Sequence, residues 1–282
     1  MIRLDPGFAM PHVGLADSYN LMGEYLYLAP GESFPKARIA AAEALRLDAS
    51  LSEAHASLAE VAFFFDWDWS KAEQEYQRAI ALNSHNATAY HWYAWYLLTQ
   101  GRFEDARASL RRAQALDPGS LTVNTVMGLP DYYERHYDRA ISQYERMLQL
   151  NPDLRQIHYY LGSALVQKGL HAAAVTEFKS VAPNQQTEAL LGYTYGVMGE
   201  KKLALDMLDS LNALSEQRYV SSYLKAIVYA GLGEIDEAFA QLENAYAEHA
   251  AWIVFLRVDP FLDPLRLDQR FTDLLRRLRL VP

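Results

Sequence analysis

Apolar positions along this chain recur at helical spacing, and the helices themselves recur at a fixed interval. Tyr90-His-Trp-Tyr93-Ala94-Trp-Tyr-Leu97 places apolar residues at helical spacing along one predicted helix. Gly101 then supplies the left-handed residue that ends it. Phe103, Ala106, Leu110 and Ala113 mark the apolar face of a second helix, which Leu116-Asp117-Pro118 closes. The same phase returns every 34 residues: Ala72, Ala106, Ala140 and Ala174; Trp69, Phe103 and Tyr137; Gly101, then Gly169 two steps on; Pro118 and Pro152. Further on, Tyr195 pairs with Tyr229, Gly199 with Gly233 and Ala204 with Ala238. Between Gly169 and Gly199 the step drops to 30, which predicts a shortened connection through residues 181–186.

A helix–turn–helix unit with this period and these residues resembles the tetratricopeptide repeat (TPR). The fold class expected is all-α, a right-handed TPR superhelix, or α-α solenoid, of about seven repeats. The repeats fall near residues 9–49, 52–84, 87–118, 121–152, 155–182, 185–214 and 219–249. The solenoid is expected to run over residues 1–257, and residues 258–282 to form a C-terminal cap. In that cap Phe271, Leu274, Leu275 and Leu278 make one face of an amphipathic helix, with arginines opposite, suited to covering the exposed edge of the last repeat.

Several segments depart from the frame. Residues 25–35, with their Pro and Gly, predict a lengthened loop in repeat one. Phe63-Phe-Phe-Asp66-Trp67-Asp68-Trp69 carries one extra residue, expected in the turn of repeat two, with Ser70-Lys-Ala-Glu73 as the capping box of the next helix. Pro130 falls inside a predicted first helix, which it should bend. His12, His55 and His158 occupy equivalent repeat positions and read as packing residues.

Half of the residues are apolar, enough for a long core, and no stretch has the roughly 18 uninterrupted apolar residues of a membrane span. A net charge of −9 argues against direct nucleic-acid binding by this part. There is no cysteine, so disulfides and thiolate chemistry are excluded. The chain has no Gly-x-Ser-x-Gly elbow, His-Glu-x-x-His helix or Gly-rich phosphate loop, and its histidines do not cluster at ligand spacing. No catalytic activity, cofactor or metal is expected.

Asp66-Trp67-Asp68-Trp69, the run Glu73 to Asn83, and the closing Val258-Asp-Pro to Leu275 together resemble TPR arrays of bacterial multidomain signalling proteins. Those arrays lie C-terminal to winged-helix regulators, serine/threonine kinases or nucleotide cyclases. The resemblance implies a regulatory protein-interaction module. The opening Leu4-Asp5-Pro6 matches the end of a TPR unit, so a longer protein is expected, of which this is the C-terminal part. A cytoplasmic location is expected, with self-association through the open N-terminal repeat edge as a further contact.

TPR first helices line a concave groove, and the family pattern places Phe63, Phe64, His91, Trp95, Tyr132, Tyr133, Tyr159, Tyr193 and Tyr223 in it. Aromatics of this kind give large contact area at little entropic cost. The expected partner is therefore a peptide or protein segment held by apolar and aromatic contacts. Where chaperone-tail clamps carry Lys, Arg and Asn, this chain has Glu53, Ala56 and Glu60, then Thr88, His91 and Trp95, so an acidic tail is disfavoured. The alternative function is small-molecule sensing that controls an upstream effector domain.

Overall fold

The structure is a computed structural model that describes residues 7–151 and 154–281. The Leu4-Asp5-Pro6 motif and Pro152 lie outside the described residues. Among those described there is no strand, and the chain is all-α. It divides into two compact units. The first comprises the chain up to Pro118 together with Glu248–Val254; the second comprises Gly119–Ala247 and everything from Phe255 on.

The first unit holds three helix pairs: α1 (Met10–Glu24) with α2 (Pro30–Leu47), α3 (Ser52–Val61) with α4 (Trp69–Leu82), and α5 (Ala87–Thr99) with α6 (Phe103–Leu116). The second holds four. α7 (Leu121–Val126) and α8 (Leu129–Tyr133) together pair with α9 (Tyr137–Leu150), and α10 (Arg155–Gln167) pairs with α11 (His171–Lys179). α12 (Gln185–Val197) pairs with α13 (Lys201–Ser215), and α14 (Ser222–Leu232) with α15 (Ile235–Ala247). Each pair is one helix–turn–helix unit, and seven are seen among the described residues. Two 3₁₀ segments, Ala251–Phe255 and Pro260–Leu265, lead to α16 (Gln269–Arg277).

The repeating alanines explain the close approach of paired helices. Ala72, Ala106, Ala140, Ala174, Ala204 and Ala238 are all fully buried. One turn later Tyr76, Leu110, Tyr144, Phe178, Leu208 and Leu242 fill the space beside them. The turn between paired helices needs one left-handed residue, and Gly101, Gly169, Gly199 and Gly233 provide it at φ of 71, 76, 81 and 74°. The same register position in repeats two and four, 34 residues to either side of Gly101, is held by Trp67 (φ 53°) and Arg135 (φ 70°).

The structure relocates several expected features. The extra residue of repeat two is absorbed into a π-helical stretch, Ala62–Asp66, rather than the turn. Asp68, not Ser70, caps α4, accepting from the Lys71 N–H at 3.1 Å. The loop of repeat one is shorter than expected, because α2 already begins at Pro30 and Pro35 lies inside it. At Pro130 the first helix of repeat four breaks in two, leaving the proline in the first turn of α8, where its missing N–H costs nothing. The four residues missing between Gly169 and Gly199 come largely from α11, which has 9 residues against 14 in α9. His55 and His158 are half-buried rather than core, and each reaches a glutamate of its partner helix: Glu75 at 2.6 Å and Glu177 at 2.5 Å.

α16 covers the end of the second unit. Arg270 bridges to Asp236 and lies over Phe239, while Arg277 bridges to Glu243 and lies over Tyr246, so both arginines fasten it to α15.

Candidate functional site

The sequence expectation puts a groove along the first helix of each pair, α1, α3, α5, α8, α10, α12 and α14, and the structure shows what meets those helices. In the first unit, some of them meet the unit's own distal segment, Glu248–Val254. Trp95 packs edge-on against Trp252 with ring centroids 5.9 Å apart. The Trp252 indole N–H donates to the Glu24 carbonyl at 2.9 Å. His249 stacks on Trp67 at 4.3 Å and 11°, with its Nδ1 2.8 Å from the Phe65 carbonyl oxygen. His91 lies beneath this contact: its Nε2 accepts from the Trp95 indole N–H at 3.1 Å, and burial pushes it down to about 4, so it is neutral at physiological pH.

Phe63 and Phe64 correct the expectation from the sequence. They are buried between helices, not presented on the face. Phe64 stacks on Phe34 of α2, and Phe63 meets Trp69 of α4 and Tyr96 of α5. Both lie in the π-helical stretch Ala62–Asp66, which holds the residue that the repeat frame lacks. Asp66 and Asp68 are taken by Arg38 and by the α4 N-terminus.

In the second unit the five expected tyrosines converge. Tyr132 and Tyr133 come from α8, Tyr159 from α10, Tyr193 from α12 and Tyr223 from α14. One carboxylate, Asp259, acts on all five, adding to the burial that already raises each hydroxyl. The Tyr223 hydroxyl donates to Asp259 at 2.7 Å, and the Phe261 N–H donates to its other oxygen at 3.0 Å. Burial raises Asp259 above the usual carboxylate range, opposed by these two bonds and by Arg135 and Arg266. Phe255 stacks on Tyr133 at 5.4 Å, and Phe261 meets Tyr193 edge-on at 4.8 Å. Arg135 closes the arrangement, donating to the Val258 carbonyl and to Asp263, both at 2.8 Å.

Sequence reasoning therefore names the aromatic side of this contact and misses the other side. Trp252, Phe255, Asp259 and Phe261 belong to a segment with no place in the repeat. The available signal was Trp252-Ile-Val-Phe-Leu256, an apolar run that follows the last helix pair and has no partner helix to bury it. Arg135 also went unnoticed, although a non-glycine at a left-handed turn position was legible from the phase.

Among the described residues, one group has the spacing of a single-ion site: Asp131, Glu134 and His136. Arg139 sits 3.1 Å from Asp131 and already balances its charge. No helix among the described residues is long and apolar enough to cross a membrane.

Stacked helix–turn–helix pairs define an all-α helical-repeat protein. Residues 68–120 and 127–189 match the tetratricopeptide repeat family, so these two stretches carry TPR repeats. It is 32% identical over 127 residues to the type IV pilus assembly protein PilF of Pseudomonas aeruginosa, covering 44% of this chain and 50% of PilF. It is 26% identical over 144 residues to anaphase-promoting complex subunit 3 of Schizosaccharomyces pombe, covering 49% of this chain and 21% of that protein. The chain thus spans half the length of the first relative and about a fifth of the second. Among solved structures, PilW, a widely conserved type IV pilus biogenesis factor, aligns with a TM-score of 0.57 at 18% identity over 74% of this chain and 94% of PilW. A TPR protein from Parabacteroides merdae aligns with a TM-score of 0.55 at 15% identity over 89% and 98%. These two likenesses are of fold.

Proposed function

We propose that this chain is a non-catalytic protein-interaction scaffold whose first-helix face holds a peptide or protein segment, as a regulatory part of a longer protein. The observation that carries the reading is the seat of the chain's own C-terminal segment. Aromatic rings meet aromatic rings at Trp95, Tyr133 and Tyr193, while Arg135 binds a main-chain carbonyl. A partner segment would use the same side chains, with aromatic anchors for affinity and main-chain bonds for register. The names of both relatives denote multi-protein work, one in pilus assembly and one in the anaphase-promoting complex, which suits a scaffold. The resemblance to signalling arrays supports a regulatory setting in which partner and C-terminal segment compete for one face.

The test is affinity capture from source-cell lysate with three forms of the chain. The unmodified form should retain a partner, and Trp252→Ala/Phe261→Ala, which loosens the chain's own segment, should retain more of it. Trp95→Ala/Tyr193→Ala should retain none. If no form retains a protein while a metabolite pool raises the melting temperature, the scaffold reading fails in favour of ligand sensing.

A further inference from the structure

The first unit contains an electrostatic anomaly on its first helices. Asp17, Asn20 and Glu24 follow one another along one face of α1, and Ser57 and Glu60 face them from α3. Asn20 is 1% exposed, Glu60 1% and Glu24 8%. The Asn20 amide donates to the Ser57 carbonyl at 3.0 Å, and the Ser57 hydroxyl donates to Asp17, which places the amide inside the carboxyl cluster. Its other atom, Oδ1, is buried and accepts nothing. Glu60 accepts from the Tyr76 hydroxyl. The remaining titratable groups that act on the cluster are Glu53 and Tyr25, both of which add to its negative character when ionised. No Lys, Arg or His among the described residues pairs with Asp17, Glu24, Glu53 or Glu60. Buried carboxyls without a countercharge, beside a buried acceptor without a donor, are costly.

We infer that Asn20, Glu24 and Glu60 form a binding site for a primary alkylammonium group, whose three N–H donors match the unpartnered Asn20 Oδ1 and the two uncompensated carboxyls. An ammonium on a thin methylene stem carries three N–H donors on a narrow body, the form of donor that suits acceptors as buried as these. Asp17 lies two turns from Glu24, about 10 Å along the helix, at the spacing for a second amine of a linear polyamine. In the free protein, burial raises Glu24 to about 7 and Asp17 to about 6, and Glu60 is raised as well, by burial and by Glu24. An arriving cation therefore expels protons near neutral pH.

The ammonium has two sources, a free polyamine or a lysine of a bound segment; only the second rests on the scaffold reading above. The test is calorimetric titration of the full chain with spermidine and, separately, with acetyl-lysine amide, at pH 7 and low salt. Saturable binding is expected, with an apparent enthalpy that differs between phosphate and Tris buffers because protons are released. Glu24→Gln should weaken it at least tenfold while the chain stays folded, since that change removes a buried acid rather than a stabilising contact. Saturation by spermidine alone identifies a free polyamine, and saturation by the lysine probe alone identifies a partner side chain. No saturation by either probe overturns the inference. So does an undiminished Glu24→Gln affinity, or equal binding of tetramethylammonium, which has no N–H to donate.

Discussion

Glu24→Gln should make the first unit more stable above neutral pH and leave it unchanged in acid. The Glu24 carboxyl is raised from 4.5 to about 7 by burial. It therefore binds its proton roughly 300-fold more tightly folded than unfolded, which is about 3 kcal/mol at 1.4 kcal/mol per tenfold. Because the folded form prefers the protonated acid, the Glu24 contribution to wild-type stability is greatest below 4.5. It falls as the pH rises from there to about 7 and is level above that, once both states are ionised. Glutamine keeps the shape and never ionises, so the difference between variant and wild type should grow from near zero at pH 4.5 to about 3 kcal/mol at pH 8. The assay is urea unfolding followed by tryptophan fluorescence at several pH values. All five tryptophans (Trp67, Trp69, Trp92, Trp95 and Trp252) belong to the first unit, so the signal reports that unit alone. A variant less stable than wild type at pH 8, or a difference that does not change with pH, would refute the reasoning: Glu24 would then be held by favourable contacts as a carboxylate.

Gly196→Ala should be severely destabilising, by more than about 3 kcal/mol in chemical denaturation followed by circular dichroism. An added Cβ would lie 2.6 Å from the Gly231 backbone carbon, and backbone cannot swing aside as a side chain can. Tyr223→Phe removes a donor from buried Asp259 and should cost about 2 kcal/mol near neutral pH. Its cost should shrink in acid, where a protonated Asp259 needs the bond less, and a pH-independent cost would refute the assignment. Arg135→Gly relaxes a left-handed turn by about 1 kcal/mol, yet removes both bonds to the 255–265 segment. Limited proteolysis should cut that segment faster in the variant, with overall stability little changed.

The repeat was legible because its constraints are local. An alanine at a helix crossing and a glycine at a left-handed turn each act within a single helix pair, so their phase survives as a period in the chain. Ala106 and Gly101 are examples, and the structure puts both where the period does. Pro130 was legible as a disturbance, but the choice between a bend and a break depends on the helices packed around it. Phe63 and Phe64 were misplaced for a related reason: one inserted residue becomes a π turn or a longer loop according to tertiary packing, which the linear frame does not hold. The carboxyl cluster was half visible. Glu53 and Glu60 stood out against a basic clamp, but Glu24 and Asn20 join them only through the pairing of α1 with α3.

The partner of the tyrosine face was illegible for a different reason, and two turn residues show why it is nevertheless encoded. At the left-handed position glycine is conformationally free, and a side chain there costs about 1 kcal/mol or more. Trp67 and Arg135 accept that cost in repeats two and four, at the register where repeats three and five have Gly101 and Gly169. Each side chain then does what glycine cannot: Trp67 stacks on His249, and Arg135 binds the Val258 carbonyl and Asp263. In both units the departure from the repeat rule coincides with a contact to the segment that lies outside the repeat. Local strain spent at each turn is recovered through a contact distant in sequence. A left-handed turn that lacks its glycine is thus the feature of a TPR sequence to inspect for a side chain aimed at something other than the next repeat.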